Sequence, residues 1–288
     1  MGLDGVQTET HLKSEEILGI EHVIFVEPRY SDLVDDSFTL QLIANPGDRG
    51  VLLVDENSDP LALAFGDGHE WVAGSFHLRR PTAALIERFE ETTGEIYQED
   101  RETWAAAVRE YYSSQIRNSV LPAVEDLNPE RIHQIEELID EYWEGRAGFR
   151  CLDCCCGSGV GSEVLRSRGL LPLSYDNDAT LLSLGLHKGR LMPDETMCID
   201  ATSADIFTGH ASLGLGLMFG MIHPLNEDLW ESITSFLVSS VDTALITIGT
   251  AEEAGMVKRW VEESGRACEV FENMRDPIYD RWVCSIEG

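Results

Sequence analysis

Lysine is scarce in this sequence, and charge of one sign dominates it. The chain of 288 residues has 52 acidic side chains against 21 basic ones, a formal net charge of −31. Its lysines are Lys13, Lys188 and Lys258. Such acidity disfavours a nucleic-acid partner, because binding to a phosphate backbone rests on a basic patch. The densest basic pairs are Arg79 with Arg80 and Arg146 with Arg150, and two arginines make only a small basic patch. An acidic, lysine-poor surface suits salt-rich solution, and we expect an archaeal or other salt-adapted source.

Long apolar runs are also missing. The uncharged run from Ala211 to Leu225 is too short and too rich in glycine to span a membrane. The first residues, Met1 to Gln7, are polar and lack the apolar segment of a secretory signal. The cysteines number seven, which is odd, and most lie in apolar strand-like contexts. We therefore expect a cytoplasmic protein with reduced thiols and no membrane partner.

Hydrophobic patterning divides the chain into two regions. Residues 1–95 are predicted to form a small β-rich domain that selects substrate, forms a dimer or acts as a lid. Its antiparallel sheet is predicted from strands at 22–27, 38–44, 51–55, 61–65 and 71–77. Residues 96–288 begin with helices, one of them opened by the cap Asn128 and by Pro129. From Phe149 onward strands alternate with helices, which predicts a mostly parallel sheet with helices on both faces.

The segment from Phe149 to Ser162 reads FRCLDCCCGSGVGS and is the most informative part of the sequence. A strand ends at the acid Asp153, a glycine-rich turn follows, and a helix then begins. The glycines permit close approach of the backbone to a ligand, and the helix terminus supplies free N–H groups and partial positive charge. The pattern is typical of a nucleoside-type cofactor site in an open α/β sheet.

Two further acids follow strands of the same predicted sheet. Asp176 ends the second strand, and its paired oxygens suit the two hydroxyls of a ribose. Asp200 ends the third strand and is able to accept a hydrogen bond from the exocyclic amine of adenine. The alternatives are that Asp176 or Asp178 caps a helix and that Asp200 is an ordinary loop acid.

From about residue 100 to the end, the chain resembles the class I S-adenosylmethionine (SAM)-dependent methyltransferases. The family motif, Asp/Glu-x-Gly-x-Gly-x-Gly, stands here as DCCCGSG, with Cys155 in place of the first glycine. The resemblance implies a doubly wound, mostly parallel sheet whose antiparallel last strand inserts between neighbours. It also implies SAM as the cofactor. The residues that it places around SAM are Asp153, Cys154, Cys155, Gly157, Ser158, Gly159, Asp176, Asn177, Asp200 and Ala201.

The fourth strand departs from the amino-methylating branch of that family. Those relatives carry Asn/Asp-Pro-Pro-Tyr/Phe at its end, whereas this chain has Gly-Met-Ile-His223-Pro224. His223 is the candidate general base or acceptor-orienting group. The alternative is that His223 caps a helix opened by Pro224. Nearby, Met218 and Phe219 are expected to line a pocket or to pack in the core.

Several functional alternatives stay open on the sequence alone. The favoured interpretation is a SAM-dependent methyltransferase that acts on a small molecule or a protein, with a homodimer as a further hypothesis. Others are a non-catalytic SAM-fold binding module, an RNA methyltransferase, which the acidity disfavours, and an NAD-binding protein. The cysteine run from Cys151 to Cys156 has no second pair or histidine nearby, so no metal site is expected.

Overall fold

The computed structural model describes residues 12–45, 47–125 and 127–287, and the chain divides into two compact units. The amino-terminal unit extends to Tyr112, and the carboxyl-terminal unit begins at Ser113. Elements of the first are α1 (Ser14–Leu18), β1 (Val23–Phe25), α2 (Thr39–Ile43), β2 (Arg49–Val54), β3 (Pro60–Gly66), β4 (Trp71–Ser75), α3 (Ala83–Glu90), β5 (Thr93–Gln98) and the first part of α4 (Arg101–Ser119).

The amino-terminal sheet has the order β1-β4-β3-β2-β5. The prediction of an antiparallel sheet is wrong at both edges, because β1 pairs in parallel with β4 and β5 pairs in parallel with β2. Strand β5 escaped prediction because all six of its residues are exposed, which leaves no hydrophobic alternation to detect. The sheet buries a core of large apolar side chains: Leu42, Leu63, Phe65, Phe76, Leu85 and Phe89.

The predicted strand at 38–44 is also wrong, because Thr39–Ile43 is the helix α2. Leu40 and Leu42 alternate with polar residues in the sequence, but Leu42 is fully buried whereas Leu40 is 71% exposed, so the two leucines do not share one face as they would in a strand. A run of five residues fits the helical period as well as the strand period, and the pattern alone does not separate them. The 3-10 turn at Asp36–Phe38, capped by Asp35, leads directly into this helix.

The carboxyl-terminal unit continues from α4 as α5 (Pro129–Trp143), β6 (Arg150–Cys154), α6 (Val160–Ser167), β7 (Leu171–Asp176), α7 (Ala179–Lys188), β8 (Thr196–Cys198), α8 (Asp205–Thr208), β9 (Ala211–Gly216), α9 (Glu227–Ser239), β10 (Val241–Ile248), α10 (Ala251–Glu263), β11 (Ala267–Glu272) and β12 (Trp282–Glu287). Its seven strands have the order β11-β12-β10-β9-β6-β7-β8. Strand β12 lies antiparallel between β10 and β11, and the other described pairs are parallel. The predicted sheet with an inserted antiparallel last strand is confirmed.

Local sequence signals account for most helix starts in this unit. Asn128 caps α5 by accepting from Glu130 N at 3.1 Å, as predicted. Asp178 caps α7, and Thr250 with Glu253 forms a capping box at α10. Helices α5 and α6 then pack their apolar faces on β6, β9 and β10.

The helix predicted to start at Pro224 begins later, at Glu227. Residues 224–226 form a turn instead, closed by a backbone bond from Asn226 N to the carbonyl of His223 at 2.9 Å. Asn226 Oδ1 also accepts from His223 N at 2.8 Å, so the turn is stabilised by its own polar groups.

Among the described residues, no helix combines the length and apolar character that a membrane span requires.

Candidate functional site

A cavity of about 270 Å³ lies at the carboxyl ends of β6, β7 and β9. The strand order reverses there, since β6 lies between β7 on one side and β9 on the other. Ligands of open α/β sheets bind at such a switch point. The residues that line the cavity are Arg131, Asp153, Cys155, Cys156, Gly157, Ser158, Val160, Gly161, Asp176, Leu181, Leu217, Met218 and Trp230.

The loop after β6 is held by the adjacent strand β7. Cys156 N donates to the carbonyl of Tyr175 at 3.1 Å, and Gly157 N donates to Asp176 Oδ2 at 2.9 Å. Gly157 has a φ of +53°, where an L side chain is strained. A Cβ added there would meet one atom within 4 Å, Leu181 Cδ1 at 4.0 Å. Because Leu181 also lines the cavity, a side chain at position 157 would project into it.

Two non-glycine residues of this cavity have left-handed backbone conformations. Cys155 has a φ of +54° and Met218 a φ of +57°. Such residues cost free energy, persist where the surrounding structure fixes them, and cluster at functional sites. Cys155 stands at the first glycine position of the motif Asp/Glu-x-Gly-x-Gly-x-Gly. Its backbone nevertheless keeps a left-handed conformation, which glycine adopts without strain. Met218 is held by its N–H, which donates to Thr247 Oγ1 at 2.7 Å.

Asp153 is a buried carboxyl group, only 1% exposed, at the end of β6. Its Oδ2 accepts from Ser162 Oγ at 2.5 Å, near the start of α6. The pKa of Asp153 is raised from 3.8 to about 7. Burial is the main cause of the rise, the hydrogen bonds from Ser162 oppose it, and the negative charge of Asp176 contributes to it. A cation placed beside Asp153 would favour the ionised form. The site is therefore suited to a positively charged ligand group.

We expect Asp153 to make the free protein less stable as the pH rises. A carboxyl whose pKa is raised on folding contributes stability that is complete below 3.8 and lost as the pH passes through about 7. Asp153→Asn, which stays neutral, should lack this component. Urea unfolding at a series of pH values would show the variant gaining stability relative to the wild type between these limits. A constant difference at every pH would contradict the raised pKa.

Asp176 faces the same cavity from the end of β7. Its Oδ2 accepts from Gly157 N, and its Oδ1 accepts from Asp178 N at 2.8 Å. Burial raises the pKa of Asp176 above its usual value, while the N–H groups of Asp178 and Gly157 oppose the rise. The side chain thus links the glycine loop to the start of α7. The cap of α7 is Asp178, whose Oδ1 accepts from Thr180 N at 2.8 Å.

Arg131, on the first turn of α5, lines the cavity with a guanidinium that the sequence analysis missed. It forms a two-pronged ion pair with Asp280, with Nε to Oδ2 at 2.8 Å and Nη2 to Oδ1 at 3.2 Å. Asp280 is 1% exposed and also accepts from Thr247 Oγ1. Thr247 in turn accepts from Met218 N, so one network joins the guanidinium to the loop after β9. Paired use of Nε and Nη2 leaves Nη1 as a donor for a ligand anion.

Among the other residues predicted to bind the cofactor, several lie outside the cavity lining. Cys154 is buried in β6, and Asn177 is exposed after β7. Gly159 has a φ of +79° at the start of α6 and packs against Leu191. Asp200 is exposed, and its Oδ1 accepts from Thr202 N at 2.8 Å as the cap of a 3-10 turn that includes the buried Ala201.

His223 is exposed and is not among the residues that line the cavity. Its Nδ1 accepts from Leu225 N at 3.2 Å, so the side chain stabilises the turn before α9. Met218 lies at the cavity, whereas Phe219 is 1% exposed and packs against Trp230 with ring centroids 5.2 Å apart. Within the described ranges, no group of three or more His, Cys, Asp or Glu side chains is suited to hold a metal ion.

Comparison with known proteins gives structural neighbours only. No protein-family model matches the sequence, and no curated protein matches it. The magnesium protoporphyrin IX methyltransferase from Synechocystis PCC 6803, solved with bound SAM, is 15% identical with a TM-score of 0.46, over 64% of this chain and 97% of that one. A TehB-like SAM-dependent methyltransferase from Corynebacterium glutamicum is 18% identical with a TM-score of 0.43, over 63% and 98%. The sugar N-methyltransferase KedS8 from Streptoalloteichus is 7% identical with a TM-score of 0.44, over 55% and 87%.

The strand order of the carboxyl-terminal sheet decides its fold. Three parallel strands run outward from β6 through β7 to β8, two others lie on the opposite side, and antiparallel β12 inserts beyond them. The carboxyl-terminal unit has the class I methyltransferase fold. In this fold the glycine loop, Asp153 and Asp176 lie together because β6 and β7 are adjacent and parallel. The sequence motif and the cavity therefore coincide.

Proposed function

We propose that this protein is a SAM-dependent methyltransferase that acts in the cytoplasm on a small-molecule or protein acceptor. The observation that carries the proposal is the opposed charge in one cavity at the switch point of the sheet. Asp153 and Asp176 supply carboxyl groups from two strand ends, and Arg131 supplies a guanidinium from α5. SAM carries a sulfonium, an ammonium and a carboxylate, so its charges match this arrangement.

The residues present fit SAM at three points. The cavity that a Cβ at Gly157 would enter leaves room for a ligand against the glycine loop. Asp153 is buried and suits the ligand's cationic portion, whereas Arg131 suits the carboxylate. Asp176 is proposed to hold the ribose hydroxyls. Its Oδ2 already accepts a hydrogen bond from Gly157 N, but the carboxylate oxygens have further lone pairs that the hydroxyls can use. A dinucleotide pyrophosphate would face the same two carboxylates unfavourably.

Bound SAM would supply an electrophilic methyl group, and the protein's part is mainly to hold the donor and acceptor in line. Much of the rate of such a transfer can come from proximity and orientation. A general base is required only when the acceptor loses a proton as it reacts. His223 remains the proposed base or orienting group for that case, although it lies outside the cavity lining. Asp200 and Asn177 remain proposals for contacts to the adenosine.

Replacing Arg131 should weaken the binding of ligands that carry the amino-acid carboxylate and leave the binding of ligands without it unchanged. In Arg131→Lys the positive charge stays, but the planar fork that binds Asp280 and a carboxylate together is lost. We expect the Kd for S-adenosylhomocysteine to rise about tenfold or more. The Kd for 5′-methylthioadenosine, which has no carboxylate, should stay unchanged. Calorimetric titration of both ligands measures the difference.

Arg168→Lys is the matched control for that experiment. Arg168 also forms a two-pronged pair, with Asp140 at 2.7 and 2.9 Å, but it does not line the cavity. The control should bind both ligands as the wild type does. Equal weakening of both ligands by Arg131→Lys would mean that Arg131 shapes the cavity as a whole and does not recognise the carboxylate.

A non-catalytic SAM-binding module is the second candidate. The observation that favours it is that the candidate base, His223, lies outside the cavity lining. Incubation of the protein with methyl-labelled SAM and cell extract, followed by fractionation of the label, distinguishes the two. Label in an acceptor, lost in Gly157→Val, supports the enzyme, whereas binding of SAM without label transfer supports the module.

A further inference from the structure

Large apolar side chains are exposed in the segments that adjoin the cavity of the carboxyl-terminal unit. In the described part of this unit twelve large apolar side chains are exposed, and eight of them lie in the segments 121–124, 218–229 and 274–278. Apolar residues that are exposed singly need no explanation. A concentration of them beside one cavity marks a surface that binds something.

The middle segment begins and ends at the cavity. Met218 and Trp230 both line it. Between them along the chain, Met221 is 81% exposed and Leu225 is 94% exposed. Met218 is itself 47% exposed, so it belongs to the cavity wall and to the outer surface at once. The exposed apolar surface is therefore continuous with the cavity.

Hydrogen bonds hold this segment in place, although its apolar side chains are not buried. Asn226 Nδ2 donates to the carbonyl of Met221 at 3.0 Å. Ile222 N donates to Glu253 Oε1 on α10 at 2.7 Å. The backbone that carries Met221 and Leu225 is thus fixed while both side chains stay exposed. An apolar surface that is fixed before binding costs little ordering when a ligand covers it.

The first segment adjoins the cavity on the side of α7. Ala123 N donates to the carbonyl of Thr180 at 2.9 Å, and the next residue, Leu181, lines the cavity. Leu121 and Val124, on either side of Ala123, are exposed. This segment therefore adds apolar surface near the cavity.

The third segment follows β11. The ring centroid of Tyr279 lies 5.4 Å from Cζ of Arg131, which lines the cavity. Ile278, the preceding residue, and Met274 are exposed. Three separate stretches of the chain thus bring exposed apolar side chains to one cavity.

Charged side chains are missing from much of the same surface. Residues 211–226 contain no Asp, Glu, Lys or Arg, although these types make up 25% of the chain. Residues 119–124 also contain none. The next residues after the uncharged run, Glu227 and Asp228, are acidic, and Glu227 pairs with Arg259 at 2.9 Å. These two stretches offer no cation to an anionic acceptor, and they suit an uncharged one.

The strand order separates this surface from the proposed adenosine contacts. Strand β9 lies on one side of β6, whereas β7 and β8 lie on the other. Asp176 and Asp200, proposed for the adenosine, follow β7 and β8, whereas Met218 follows β9. An acceptor on the side of β9 would therefore not compete with the adenosine.

We propose that the methyl acceptor is an uncharged small molecule whose apolar body lies against Met218, Met221 and Leu225. The acceptor belongs to the same site, so its assignment rests on the proposed function. In the transfer, a lone pair of the acceptor bonds to the methyl carbon of the sulfonium donor. The carbon–sulfur bond breaks with its electrons left on sulfur, and the proton displaced from the acceptor passes to water.

Two other occupants of this surface fit less well. A bilayer with anionic lipids would repel a chain of net charge −31, and residues 121–124 and 218–229 contain no lysine or arginine to oppose the repulsion. A second copy of the chain would bring the same negative charge.

Fluorescence titration with N-phenyl-1-naphthylamine, an uncharged apolar dye, tests the surface without requiring turnover. The wild-type protein should bind the dye with a saturable signal. The double variant Met221→Gln with Leu225→Gln should raise the Kd of the dye about tenfold, because two apolar contacts are lost. Its affinity for S-adenosylhomocysteine should be that of the wild type, since neither residue lines the cavity.

Leu171→Gln is the matched control. Leu171 is 54% exposed and begins β7, so it lies at the end of that strand opposite to the cavity. The control should bind the dye and S-adenosylhomocysteine as the wild type does.

Methyl-labelled SAM and cell extract then identify the class of acceptor. After acid precipitation of the protein, the supernatant is partitioned between ethyl acetate and water. Label is expected in the ethyl acetate. At limiting acceptor concentration, its rate of appearance should fall about tenfold in the double variant and stay unchanged in Leu171→Gln.

The other outcomes separate this inference from the proposed function. Label in the precipitated protein or in the water leaves methyl transfer standing and overturns the apolar acceptor. No label in any fraction, from protein that binds SAM, refutes methyl transfer and the apolar acceptor with it. Equal dye binding by the double variant and the wild type excludes the surface. Sedimentation with phosphatidylcholine vesicles, or a dimer that the double variant dissociates, would assign the surface to another occupant.

Discussion

Gly157→Val is expected to abolish the binding of S-adenosylhomocysteine while the protein stays folded. The added Cβ would meet nothing closer than Leu181 Cδ1 at 4.0 Å, so the Cβ itself displaces no protein atom. The branched side chain would instead occupy the cavity against the glycine loop. The left-handed backbone, with φ of +53°, should add a cost of roughly 1–2 kcal/mol to the free energy of folding. Calorimetric titration and thermal unfolding of the same sample measure both effects.

Gly189→Val controls for the backbone strain. Gly189 ends α7 with a φ of +72°, and a Cβ there would meet no atom within 4 Å. It lies outside the residues that line the cavity. The control should lose a similar amount of stability and bind the ligand normally. Normal binding by Gly157→Val would show that the glycine loop does not contact the cofactor.

Asp176→Ala is expected to weaken the binding of S-adenosylhomocysteine by ~1.5–3 kcal/mol, which raises the Kd about 10- to 150-fold. Two effects combine in this variant. The proposed hydrogen bonds to the ribose are lost, and Gly157 N and Asp178 N both lose their acceptor. The loop that forms one wall of the cavity is then less well fixed. Titration calorimetry at a pH above 7 keeps Asp153 ionised during the comparison.

Two companion variants separate these effects. Asp176→Asn keeps an oxygen acceptor for one of the two N–H groups, and it should bind more tightly than Asp176→Ala. Asp178→Ala removes the cap of α7, which should cost about 1 kcal/mol of stability and leave the Kd unchanged. Unchanged affinity in Asp176→Ala would remove this carboxylate from the site.

The sequence predicts much of the carboxyl-terminal unit because its signals are local. Asn128 and Pro129 mark the start of α5, and alternation of strands with helices indicates the parallel sheet. Asp153 and Asp176 are predicted to lie together because both end adjacent parallel strands, and the cavity includes both. Cys155 is identified as a departure from the motif, and its φ of +54° explains why glycine is usual there.

Arg131 was beyond sequence reasoning because its position depends on packing. Its partner, Asp280, lies 149 positions further along the chain. No motif surrounds Arg131, which sits on an ordinary first turn of a helix. The short segments of the amino-terminal unit were not predicted correctly for a different reason. Strand β5 has no buried face, and α2 is too short for its period to be distinguished.

The most direct test of the central claim is calorimetric titration of the wild-type protein with S-adenosylhomocysteine, SAM and NAD, at low and at high salt. The proposed site predicts binding of the two sulfur-containing adenosyl ligands and no binding of NAD. At 100 times its Kd, either adenosyl ligand should also add ~2.7 kcal/mol of stability, seen as a rise in Tm. Binding of NAD in preference to S-adenosylhomocysteine, or of none of the three at either salt concentration, would contradict the account.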